Sequence, residues 1–256
     1  MPANYAHYRF GKELLGTMPA EAKACIQRFR RMYDMGLQGP DFFYYYFPWM
    51  KTNVGSLGNK FHNQSGQEFF LHAAKTATSE AARAYLYGLL GHYCLDSLAH
   101  PYVERLASIG EAEHVALESE FDRYLMAKDK IPSPHTYDMT KRFHLTRGEC
   151  MTVAEFYPGS TGGSVSFAVR SMTFFRKFLA SPNRKRTLRL IHLVGPKLAQ
   201  NMVPEQEVEE LTLYVGELEG IYRQALETYP EMLSQLHAHM QEEAPFGDLF
   251  APSFNG

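Results

Sequence analysis

The chain has 256 residues, with 26 Lys+Arg against 28 Asp+Glu, 45% apolar and 21% charged residues. That length and composition predict one sizeable core, a single domain over 1–256 or at most two small ones, and exclude general disorder. A formal charge of −2 speaks against a stable nucleic-acid complex held by backbone phosphates, and no run approaches about 18 consecutive apolar residues, so no helix is expected to span a membrane.

Residues 1–15, MPANYAHYRFGKELL, show no basic flank ahead of an apolar block and do not read as a secretory leader. Residues 19–35 read as the first helix, opened by Pro19 and stopped at Gly36. Residues 37–62 break the rhythm as a Gly/Pro-punctuated loop rich in aromatics, from Phe42 to Trp49. Apolar residues at three- and four-residue spacing predict helices over 66–79 and 80–99, and a further one over 111–127 closed off by Lys128, Lys130 and Pro132. Beyond the bend at 131–135, helices are expected at 147–156, 165–180, 183–199 and 205–243, with a Gly/Ser loop at 156–166 whose Thr and Ser suit helix capping. No NG or DG turn separates alternating runs, so the fold class is all-α, one compact multi-helix domain. Cys25, Cys94 and Cys150 are odd in number and form no CxxC pair, which fits a reduced, cytoplasmic protein without disulfides.

The chemistry concentrates in residues 88–104, GLLGHYCLDSLAHPYVE. His92, Asp96 and His100 stand at i, i+4 and i+8, so on a helix they drift by only about 40° per step and face one way. His114 and Glu118 repeat the spacing. Chance predicts about one His-x3-acid pair in such a composition, yet there are four, His92/Asp96, His100/Glu104, His114/Glu118 and His239/Glu243, three of them within 27 residues. Imidazole nitrogens and carboxylate oxygens are the ligands zinc takes where thiolate is absent. Cys94 lies on the far side of the helix from this row, where packing is its expected role. Upstream, Asp41 in the GPDFF turn, His62 and His7 complete the candidates.

The order His7, GPD with Asp41, His62, HYCLD-x3-HP over 92–101 and HVALE over 114–118 resembles the zinc-dependent phospholipase C family, itself related to zinc-dependent nucleases. The similarity covers roughly residues 1–125, the expected metal-binding half; 130–256 shows no motif match and has no assigned role. The resemblance implies a multinuclear metal cleft in a helical protein. Asp41, His62, His92 and Asp96 would hold one zinc, and His100, His114 and Glu118 a second. His7 would join a third, with Asp96 shared. In the family that third ion also uses a processed N-terminal residue, whereas this chain begins Met1-Pro2, so here it is expected only with a different partner such as water, or after removal of Met1. Asp41 corresponds to the carboxylate proposed to position or deprotonate the attacking water. The implied activity is hydrolysis of a phospholipid-like or other phosphodiester by a metal-bound hydroxide, with a zinc nuclease, or a helical metal-binding protein without turnover, as alternatives. Phe42 and Phe61, which adjoin proposed ligands, are the candidate substrate contacts, against core packing as the other role for this aromatic run.

Overall fold

The structure is a computed structural model that describes residues 4–194 and 196–256, apart from the side chains of 194–198. Its elements in chain order are α1 (Asn4–Leu14), α2 (Ala20–Arg28), α3 (Arg30–Gly36), α4 (Leu57–His62), α5 (Gly66–Thr76), α6 (Glu80–Ser108), α7 (His114–Lys128), α8 (Arg147–Glu155), α9 (Gly162–Leu179), α10 (Arg184–Val194) and α11 (Thr212–Glu242), with short 3-10 turns between. Among the described residues there is no strand, only an isolated bridge between Ser65 and Ser253.

The centre of the molecule is α6, 29 residues long. Its middle, from Ala84 through Leu95, carries apolar, aromatic or small side chains apart from His92 and is buried all round, as a helix apolar on nearly every face must be. α1, α2, α3, α5, α7 and α11 pack around it. The closest approach is glycine on glycine: a Cβ at Gly36 would stand 2.2 Å from the Tyr85 carbonyl, and one at Gly88 the same distance from that of Tyr33. α3 can lie on α6 only because both positions lack a side chain. One apolar core then draws on residues from Tyr5 to Met172 and again from Leu211 to Phe254.

Several boundaries differ from the expectations. A helix precedes residue 19: α1 starts at Asn4, and its first amides, Tyr5 N–H and Ala6 N–H, donate to Asp122 at 3.0 and 2.8 Å. This cap comes from 116 residues away, so no local signal announces it. The single helix over 19–35 is two, because Phe29 leaves the helical region (φ −120°, ψ 42°) and redirects α3 along α6. α6 continues past residue 99 through Pro101. An interior proline forfeits one hydrogen bond, but Val103 and Leu106 beyond it are buried at 2% and 3% exposure, so packing carries the helix on. The 183–199 helix ends at Val194, before a turn opened by Pro196, and the 205–243 helix begins only at Thr212. The loop at 37–62 holds a 3-10 turn, Asp41–Tyr45, and ends in α4. The 156–166 loop is shorter than expected, since Thr161 and Ser164 form a capping box that starts α9 at Gly162.

Candidate metal centre

His92, Asp96 and His100 project from one side of α6, the consequence of their four-residue spacing. Four other elements meet them. α1 supplies His7, the turn after α3 supplies Asp41, α4 ends in His62, and α7 supplies His114 and Glu118. His7 Nε2 lies 3.0 Å from Asp96 Oδ1, and His92 Nε2 lies 3.0 Å from Asp96 Oδ2. His62 Nε2 lies 3.1 Å from Asp41 Oδ1 and 3.8 Å from Asp96 Oδ2. His100 Nε2 sits between the two carboxylates of its side, 3.7 Å from Asp96 and 3.6 Å from Glu118, and His114 Nε2 is 3.1 Å from Glu118. Donor atoms thus gather in three groups, His7/His92/Asp96, Asp41/His62/His92 and His100/His114/Glu118, each with its atoms within 4.8 Å of one another. Seven of the eight side chains are buried, and His114 is half-buried.

Burying three acids and five imidazoles is unfavourable unless their charges and lone pairs are matched. The hydrogen bonds show what would match them. His62 Nδ1 lies 2.8 Å from the Gly58 carbonyl and His92 Nδ1 lies 3.2 Å from that of Leu37. His100 Nδ1 is 3.1 Å from Asn255 Oδ1, and His114 Nδ1 is 2.8 Å from Glu104 Oε1. Each partner is an acceptor, so each Nδ1 carries the proton and donates. Nε2 is left facing a carboxylate oxygen, a contact satisfied either by a proton on Nε2 or by a cation that takes its place. Consistent with this, the Nε2 atoms of His62 and His92 and Oδ1 of Asp41 are buried without a hydrogen bond of acceptable geometry. Nitrogen and oxygen donors, tautomers set by outer acceptors, and lone pairs facing inward fit zinc in chemistry and arrangement.

Electrostatics keeps the acids in their ligating form. Burial alone would raise the Asp96 carboxyl, but His100, His92 and His7 hold it well below the usual carboxylate range. Asp41 is likewise low despite burial, through His62 and His92, and so is Glu118, through His100 and His114. Burial lowers His7, whereas in His92 the field of Asp96 outweighs burial and raises it. In His100 the same contest ends higher, at about 9.

A family comparison decides the relationship: the family described as zinc dependent phospholipase C matches residues 6–161. The chain belongs to the zinc-dependent phospholipase C family. Comparison with curated proteins and with solved structures returned no match. The family match runs past residue 125, through α8 to the start of α9, and contains all eight candidate ligands. Outside it lie Phe254 and Asn255, at the far end of the chain, which nothing in the sequence singled out. Asn255 orients His100, and the Phe254 ring packs against His62 and His92 at 5.6 and 5.9 Å between centroids. The outer acceptors Gly58 and Leu37 act through backbone carbonyls, which carry no side-chain signature.

Other expectations resolve individually. The Phe42 and Phe61 rings are 0% and 3% exposed and pack on Tyr157 at 5.7 and 5.1 Å. The expected substrate contact is therefore corrected to a core role, since neither ring presents a free face. The His100/Glu104 pair does not form; Glu104 turns instead to His114. His239 caps the end of α11 by bonding the Ala244 carbonyl at 2.8 Å. Cys94 packs against α11, its thiol 3.4 Å from the Ala225 carbonyl. Met1 and Pro2, to which the third-ion expectation refers, lie outside the described residues.

Proposed function

We propose that the chain hydrolyses a phosphodiester, with a phospholipid-like ester as substrate, at a centre of two zinc ions, or of three where His7 joins. The observation that supports this most is the inward-facing set of Nε2 and carboxylate atoms, with His62, His92, His100 and His114 each fixed from behind. Asp41, His62, His92 and Asp96 would hold one ion, and His100, His114 and Glu118 another. His7 and Asp96 stand ready for the third. Bound zinc would supply a water of lowered pKa and positive charge opposite the phosphoryl oxygens. The protein's own part is positional. Asp41, kept ionised, would accept the proton of the attacking water on a carboxylate oxygen. The Nδ1 donors to Gly58, Leu37, Asn255 and Glu104 would keep the imidazoles from rotating as charge develops. A reducing, cytoplasmic setting, suggested by the free buried thiols of Cys25, Cys94 and Cys150, belongs to the same proposal.

The test is elemental analysis of purified protein, followed by assays with a headgroup-labelled phospholipid and with single-stranded DNA. Two or three zinc ions per chain with headgroup release is the expected result. DNA cleavage without lipid cleavage would move the assignment to the nuclease alternative, and stoichiometric zinc with neither activity would leave a metal-binding protein. Asp41→Asn should lower kcat by at least about a hundredfold if the carboxylate takes the proton.

A further inference from the structure

A cleft between α1, α7, α9 and the 134–143 segment is lined by Asn4, Tyr45, Asp122, Tyr137, Phe143 and Arg176, among others, and by none of the eight candidate metal ligands. Arg176 is the only lysine or arginine among its described lining residues. Its guanidinium is held in place from several directions. Nη1 donates to Gln38 Oε1 at 2.7 Å, and the planar group stands over the rings of Phe143 and Tyr45, 5.2 and 5.8 Å from their centroids. The opposite edge is different. Nε and Nη2 are both buried and without a hydrogen-bond partner, and so is the neighbouring Nε2 of Gln38, a side chain only 2% exposed.

Unpaired buried guanidinium donors are costly and rare, and each needs a physical account. The cleft's acids do not hydrogen-bond it, although the field of Asp122 reaches Arg176. Asp122 accepts from the Tyr5 and Ala6 amides, and Asp138 from the Thr140 amide at 2.8 Å. Arg176 forms no ion pair among the described residues. Nε–H and the adjacent Nη2–H point in parallel, with the spacing of two oxygens on one carboxylate or phosphate.

We propose that this cleft binds an oxyanion, the phosphate or carboxylate group of a small ligand, gripped side-on by Nε–H and Nη2–H of Arg176. The rings of Phe143 and Tyr45 pre-orient the fork, which limits the entropy lost on binding. The site is independent of the zinc-centre reading, since it shares no residue with it.

Nuclear magnetic resonance of zinc-loaded, 15N-arginine-labelled protein tests this, with inorganic phosphate and acetate titrated separately against chloride at constant ionic strength. The Arg176 Nε–H signal, identified by its disappearance in Arg176→Lys, should shift saturably with at least one oxyanion. Arg176→Lys keeps the charge but loses the fork, so its affinity for that anion, read by thermal-shift titration, should fall at least about tenfold with zinc per chain unchanged. A response to phosphate alone identifies a phosphate-bearing ligand, and one to acetate alone a carboxylate. An Nε–H signal indifferent to both anions, or undiminished affinity in Arg176→Lys, would overturn the proposal, and the first of these needs only the wild-type protein.

Discussion

Gly39 has φ +50°, and a Cβ there would stand 2.1 Å from Cδ2 and 2.3 Å from Nε2 of His92. The position therefore does two things: it allows the left-handed turn that presents Asp41, and it leaves room for the imidazole. Gly110 has φ +75° with nothing within 4 Å of an added Cβ, so only its left-handed backbone calls for glycine. Both Gly→Ala variants should lose about 1–2 kcal/mol from the left-handed backbone. Only Gly39→Ala should also displace His92 and weaken zinc affinity by about 10–100-fold, the usual cost of disturbing ligand orientation. Zinc titration of the two variants side by side checks this; equal affinities would remove Gly39 from the site.

Elements are tied to the centre by contacts of their own. α1 brings His7, and it is held by the Asp122 carboxylate at its first amides, where an acid also suits the helix dipole. Asp122→Ala should lower stability by about 1–3 kcal/mol, as for other buried donors left unpaired, and should loosen His7 while leaving His100, His114 and Glu118 in place. A fall in Tm with partial loss of zinc is the expected pattern; a Tm equal to wild type would show that α1 is held elsewhere. α7 and α11 are joined by Glu219, which meets Tyr124 and, at 2.5 Å, both Lys128 and Arg223. Burial opposes its charge, but these donors bring the carboxyl down to about 2 from the ordinary 4.5. Because the folded value is the lower one, the pair's stabilisation is complete above pH 4.5 and fades as pH falls toward 2. Glu219→Gln should flatten that acid limb in pH-dependent unfolding, by less than about 1 kcal/mol since its partners are solvated.

At the scale of the molecule, the C-terminal tail closes the structure over the metal centre. Ser253 bridges to Ser65, Tyr93 donates its hydroxyl to the Pro252 carbonyl at 2.9 Å, and Phe254 is wholly buried against Phe69, Tyr93, His62 and His92. Phe254→Ala should cost about 3–5 kcal/mol, the usual range for a buried aromatic, and should reduce zinc retention although no ligand changes. Calorimetry with elemental analysis of the same sample reads both effects; unchanged zinc affinity would confine Phe254 to packing. Much of the architecture was legible beforehand. The 3.6-residue apolar rhythm placed α5, α6, α8, α9 and α11, and the four-residue spacing from His92 to His100 put one row of donors on one helix face, because periodicity is a local property of the chain. Helix ends were less legible: the Thr161 cap starts α9 at Gly162 where the rhythm suggested 165, and α10 stops at Val194, ahead of Pro196, where it suggested 199. What the order of side chains could not contain is who stands behind each ligand. The Gly58 and Leu37 carbonyls, Asp122 at the head of α1, Asn255 behind His100 and the burial of Phe42 and Phe61 all depend on segments distant in sequence coming together. Residue types and spacing thus determined the all-α class and the candidate donor set; tertiary packing alone decided which imidazole nitrogen faces inward, because the partner of the other nitrogen comes from the fold.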